Sequence, residues 1–182
     1  MVFNTLFSGR KDDGAAGDLY NAAVTQARRP EFYQELAVPD TVDGRFDLLA
    51  LHVFLLLHRL GQSGRPAKRL SQAVFDLMFA DMEANLREMG VSDLAVGGRV
   101  KTMAQAFYGR ISAYEPGLDD AERLQEALSR NLYRGVEMRL SVLEAMVGYV
   151  QGEGVALARQ PFEELKEGRV TFGEPPLSGE AS

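Results

Sequence analysis

Residues 45–60, RFDLLALHVFLLLHRL, constrain the fold of this chain more than any other segment. Wound as a helix, they carry Phe46, Leu48, Leu49, Leu51, Val53, Phe54, Leu55, Leu56, Leu57 and Leu60, which together occupy most of the helix circumference. A helix that is apolar all round has no solvent face and belongs at the centre of a bundle. The segment does not read as a membrane span. Its longest apolar run, residues 48–57, contains His52 and is bounded by Asp47 and by His58 and Arg59, well short of the roughly 20 residues needed to cross a bilayer.

The rest of the chain reads as helices that could surround this one. Asp18 can cap a helix reaching about Arg28, and Pro30 opens a short one with Phe32, Tyr33 and Leu36. Pro39-Asp40 and Asp43-Gly44 mark a loop, and Gly61 to Pro66 a stop and turn. Leu70, Val74, Leu77, Met78, Met82 and Leu86 form one stripe, ended by Gly90 in the position of a left-handed cap. Gly97-Gly98 is a poor helix interior and predicts a break, after which Val100, Met103, Ala104, Phe107, Ile111 and Tyr114 resume the period. Asp119-x-x-Glu122 resembles a capping box before Leu124, Leu128 and Leu132, and a last long helix covers about residues 138–159.

The expected fold is therefore all-α, a single domain of six to eight helices around a central one at about residues 45–60. Residues 1–17, with Gly9, Gly14 and Gly17 and no periodic apolar face, read as a flexible N-terminal arm. Residues 18–172 form the helical domain, and 173–182, with two prolines and no large apolar cluster, read as a disordered tail.

Composition narrows the functions open to such a domain. A net charge of -6 argues against a general binder of nucleic acid or anionic membrane, which needs a positive field. The absence of cysteine removes disulfides, thiolate metal sites and thiol nucleophiles. His52 and His58 are the only histidines, and six residues apart on a helix they point about 120° away from each other, so they do not share a metal. There is no Gly-x-Ser-x-Gly and no P-loop, and Gly152-Glu-Gly154 lies in a helical context. No metal or organic cofactor and no catalytic residue are expected.

The informative charges lie in residues 75–110. The order Phe79-x-Asp81-Met82-x-x-Asn85-Leu86-Arg87-Glu88-Met89-Gly90-Val91-x-Asp93-Leu94 is followed by Arg99, Lys101, Met103-Ala104 and Ala106-Phe107-Tyr108-Gly109-Arg110. Together with Pro39-Asp40-Thr41-x-Asp43-Gly44-Arg45-Phe46-Asp47-Leu48-Leu49 and His52-Val53, it resembles the ubiquinol-cytochrome c chaperone family over roughly residues 29–133. The family takes its name from the mitochondrial assembly factor for cytochrome b and contains bacterial members of about this size. The resemblance implies a non-enzymatic chaperone that binds newly made cytochrome b and supports assembly of the ubiquinol-cytochrome c reductase (bc1) complex. It also implies a small partner subunit or the ribosome as further partners, and a bacterial cytoplasmic location with peripheral contact at the inner membrane.

On that resemblance Asp81, Asn85, Arg87, Glu88, Arg99, Lys101, Tyr108 and Arg110 are candidate partner-binding residues. Asp81, Asn85 and Glu88 share a helix face at i, i+4 and i+7, an arrangement equally suited to facing solvent. The four basic residues could equally snorkel or pair with Asp81, Glu83, Glu88 or Asp93. Met78, Met82, Met89 and Met103 fit a core, and methionine also suits an adaptable surface for apolar segments. The competing reading is a helical carrier of an apolar small molecule such as a lipid, quinone or haem. A carboxylate-centred enzyme around Asp81 and Glu88 ranks below both.

Overall fold

The computed structural model describes residues 4–176. Its elements are α1 (Asn4–Ala27), α2 (Glu31–Gln34), α3 (Val42–Gln62), α4 (Lys68–Glu88), α5 (Asp93–Tyr114), α6 (Ala121–Asn131), α7 (Leu140–Arg159) and α8 (Phe162–Lys166). Short 3-10 turns at Arg65–Ala67 and Glu115–Leu118 join α3 to α4 and α5 to α6. The described residues contain no strand, and the chain is all-α as the apolar periodicity requires.

Helix α3 is the axis of the bundle because two opposite faces of it are buried against different partners. Ala50, Val53, Leu56 and Leu60 pack with Leu19 and Ala23 of α1 and with Leu70, Val74 and Met78 of α4. Leu48, Leu51, Phe54 and Leu55 pack with Leu124 and Leu128 of α6 and with Met146 and Val150 of α7. Each large side chain buried in this way favours the fold by about 1.5–3 kcal/mol relative to exposure. Two apolar clusters therefore share one helix, and neither half can lose α3 and keep its core.

Helix α3 begins earlier than the loop reading of Asp43-Gly44 suggested. Thr41 is its N-cap, with the hydroxyl accepting from the Gly44 amide at 3.0 Å. The cap is possible because Gly44 has no side chain: a Cβ there would stand 2.0 Å from the Pro39 carbonyl oxygen.

Three further boundaries depart from the sequence reading. Helix α1 starts at Asn4, so Asp18, read as its N-cap, lies within it. The small buried residues Ala15, Ala16, Ala23 and Ala27 let α1 lie close against its neighbours, while Gly14 and Gly17 face open space and do not interrupt the contact. Helix α5 runs unbroken through Gly97-Gly98, so no break exists there. Val96 is buried beside the two glycines, and the propensity cost of about 1 kcal/mol per glycine does not end a helix that has α4 to pack on. In the expected tail, residues 173–176 are held against the bundle, with Pro175 buried; residues 177–182 lie outside the described residues.

A buried polar chain explains that hold. His52 Nδ1–H donates to the Leu48 carbonyl at 2.9 Å, which leaves Nε2 to accept from the Tyr149 hydroxyl at 2.9 Å. Gln26 Nε2 donates to the same hydroxyl at 2.9 Å and to the Gly173 carbonyl at 2.7 Å. The Gly173 amide donates to Glu153 Oε1 at 2.9 Å, and Arg29 pairs with Glu174. Burial holds the wholly enclosed His52 imidazole neutral, lowering its pKa to about 4, and pushes the Glu153 carboxyl up.

Candidate functional site

Helices α4 and α5 form an antiparallel hairpin closed by Gly90, which takes the left-handed conformation (φ 82°) expected of a helix C-terminal glycine. Between this hairpin and the facing ends of α1 and α3 lies a groove of two adjoining lobes, about 320 and 550 Å3 in volume. Val42, Phe46, Leu86, Met89 and Met103 line both lobes, so the apolar floor is continuous.

Helical spacing produces that floor. Val42, Phe46 and Leu49 of α3, and Met82 and Leu86 of α4 with its C-cap residue Met89, are each at i, i+4 and i+7, and the two stripes line the groove. On α5 the lining residues Ala95, Gly98 and Ala106 are small and keep that wall low. Val42 is 65% exposed and Met89 60%, and burying such surfaces would be favourable for any apolar occupant.

Four of the eight candidate residues line this groove. Asp81 and Asn85 flank the first lobe, where the Tyr20 hydroxyl donates to Asp81 Oδ2 at 2.8 Å and Asn85 Nδ2 donates to the Asp81 carbonyl at 2.9 Å. Arg99 and Arg110 flank the second. The other four lie outside it. Arg87 is exposed and bonds Glu83 at 2.7 Å and Asp93, the pairing that a solvated helix face would give. Glu88 and Lys101 are exposed, and Tyr108, 57% exposed, stacks beside Phe75 with ring centroids 5.6 Å apart.

Beneath the second lobe is a charge that sequence reasoning passed over. Asp47 is fully buried on α3 and accepts from Arg110 of α5 through Oδ1 and from Arg134 Nε at 2.7 Å through Oδ2. Arg134 also reaches Asp43 at 3.1 Å, and Arg110 lies over the Phe46 ring at 5.5 Å. Burial pushes the Asp47 carboxyl up, while the Arg134 and Arg110 guanidiniums pull against that push. Arg134 carries a positive φ of 56°, unusual for a side chain of its size, and its two carboxylate bonds hold it there. The only local signal was the acid itself, standing in an otherwise apolar helix.

The histidines diverge. His52 is enclosed at the middle of α3, and His58 sits nearer its C-terminal end, 3.7 Å from Glu115. Among the described residues no group of three or more His, Asp or Glu side chains is placed to hold a metal ion, and no helix is long and apolar enough to cross a membrane.

The fold is a helical scaffold that carries a methionine-lined, arginine-rimmed groove. The chain belongs to the ubiquinol-cytochrome C chaperone family, whose pattern it matches over residues 34–172. It is 30% identical over 138 residues to the frog (Xenopus laevis) ubiquinol-cytochrome-c reductase complex assembly factor 1, a match covering 75% of this chain and 69% of that protein. The mouse protein of that name is 31% identical over 83% of this chain, but the match spans only 52% of the mouse protein. Yeast (Saccharomyces cerevisiae) mitochondrial protein CBP3 is 28% identical over 79% of this chain and 44% of its own length. The crystal structure of the Cbp3 homolog from Brucella abortus superposes with a TM-score of 0.85 at 31% identity, covering all of both chains.

Proposed function

We propose that this chain is a non-enzymatic chaperone that binds newly made cytochrome b and supports assembly of the ubiquinol-cytochrome c reductase complex. Family membership supports the assembly role, since relatives bear the name of assembly factors for that complex. The observation that carries the binding role is the continuous apolar groove between the α4–α5 hairpin and the ends of α1 and α3. Methionines at 82, 89 and 103 give it side chains that repack at low cost around successive apolar segments. Asp81, Asn85, Arg99 and Arg110 orient the occupant from the rim. The work takes place on the cytoplasmic side of a bacterial inner membrane, where a client helix waits to be inserted.

The test is site-specific photocrosslinking in the source organism, with the crosslinker at Met89 on the groove or at Val155 on α7, which is 54% exposed and away from it. Cytochrome b should crosslink from position 89 and not from 155. Equal yields from both, or a deletion strain with normal amounts of the complex, would remove the proposal. The paired change Arg87→Glu with Lys101→Glu alters the outer hairpin face and leaves the groove intact; loss of capture in that variant would move the client site to the outer face. A lipid, quinone or haem extracted in stoichiometric amount from the purified protein would favour a small-molecule carrier instead.

A further inference from the structure

The groove differs in charge from the molecule that carries it. The whole chain has 20 basic against 26 acidic residues, yet the groove is lined by Arg28, Arg45, Arg99, Arg110 and Arg134 against Asp43 and Asp81. Asp40 pairs with Arg45 at 2.6 Å, and Asp47 lies under Arg110 and Arg134. Arg28 and Arg99 have no carboxylate within ion-pairing distance among the described residues. One stands at the first lobe and the other at the second. An apolar trough with an unpartnered cation in each lobe is complementary to an apolar segment that is anionic at both ends.

We infer that the groove takes an apolar α-helix of a protein partner flanked by carboxylates at both ends, and discriminates against apolar helices flanked by Lys or Arg. The inference rests on the groove being the binding site and deepens that reading. A helix is the form of occupant that fits, because the groove walls are themselves helices with satisfied backbones and offer no ladder for an extended strand. A phospholipid presents one anionic end and would leave the second cation unanswered. Apolar helices with basic flanks, the usual pattern on the cytoplasmic side of membrane proteins, would set like charges against the rim. The groove therefore selects among apolar segments by the sign of their ends, in addition to burying them.

The full chain can be tested with two fluorescent Leu/Ala helical peptides of identical core, one with Glu at both ends and one with Lys, measured by anisotropy at low and high salt. The Glu peptide should bind roughly tenfold more tightly than the Lys peptide, and salt should narrow the gap. Arg28→Glu with Arg99→Glu, two changes that break no ion pair among the described residues, should reverse the preference; circular dichroism confirms that the variant is folded. Equal affinities in the unaltered protein, a preference for Lys ends, or a preference that survives the double reversal would overturn the inference. So would displacement of the Glu peptide by vesicles rich in acidic phospholipid but not by an excess of unlabelled peptide. If cytochrome b still crosslinks at position 89 while the peptides bind alike, only the charge selection is wrong. If the peptides discriminate and cytochrome b is not captured, the assembly role fails and the charge selection stands.

Discussion

Changing His52 to Gln should make the stability of this protein markedly less sensitive to acid. In the folded chain the imidazole is enclosed between the Leu48 carbonyl and the Tyr149 hydroxyl, and its pKa lies at about 4 against an ordinary value of 6.5. The sign follows from linkage. The unfolded chain takes up the proton first as pH falls, so the stabilising contribution is complete above pH 6.5 and is lost progressively down to about pH 4. The full span corresponds to about 3 kcal/mol, of which about 2 kcal/mol is already gone at pH 5. Burial raises the Glu153 and Asp47 pKa values, which works in the opposite direction, so the quantity to compare is the pH dependence of the two proteins and not their absolute stability. Urea unfolding of each at pH 8 and pH 5 measures it. The unaltered protein should lose about 2 kcal/mol more than His52→Gln over that interval. Equal losses, or an NMR titration placing the His52 imidazole near 6.5, would refute the assignment of a buried neutral histidine.

Asp47→Asn should cost about 3–5 kcal/mol by urea unfolding because it strands Arg110, whereas Asp43→Asn, at an acid 70% exposed, should cost under about 1 kcal/mol. Gly44→Ala should destabilise by about 1–3 kcal/mol or more through its collision with Pro39, while Gly148→Ala, in open space within α7, should raise stability by about 1 kcal/mol; thermal melts separate the two signs. Phe54→Ala should cost about 3–5 kcal/mol, and a cost near zero in chemical denaturation would remove α3 from the centre of the bundle.

What the sequence disclosed was mostly local. The uninterrupted apolar circumference of residues 45–60 announced α3, and the three-and-four spacing of Leu70, Val74, Met78 and Met82 announced the buried face of α4. Gly90 was legible as a turn because a left-handed cap has a residue preference of its own. The start of α1 was hidden because alanine spacing is a faint signal until the partner helices are known. Half of the candidate charges reached the groove and half did not, since α4 and α5 present residues to two surfaces and periodicity does not say which one faces α3. The Asp47 cluster joins residues 63 and 87 positions apart, and pairings of that range leave no mark on local spacing.

The bonds from Gln26 and Glu153 to Gly173 have a temporal meaning. Gln26 is made early in synthesis, yet one of the two bonds of its buried amide is to a carbonyl 147 residues downstream. A chain whose residue 173 is still held in the ribosome presents α1 and α7 with polar groups that cannot yet be satisfied, which disfavours their final docking. Closure of the bundle is thereby coupled to release of residue 173, and α1 and α7 complete their shared buried network only after that residue has emerged.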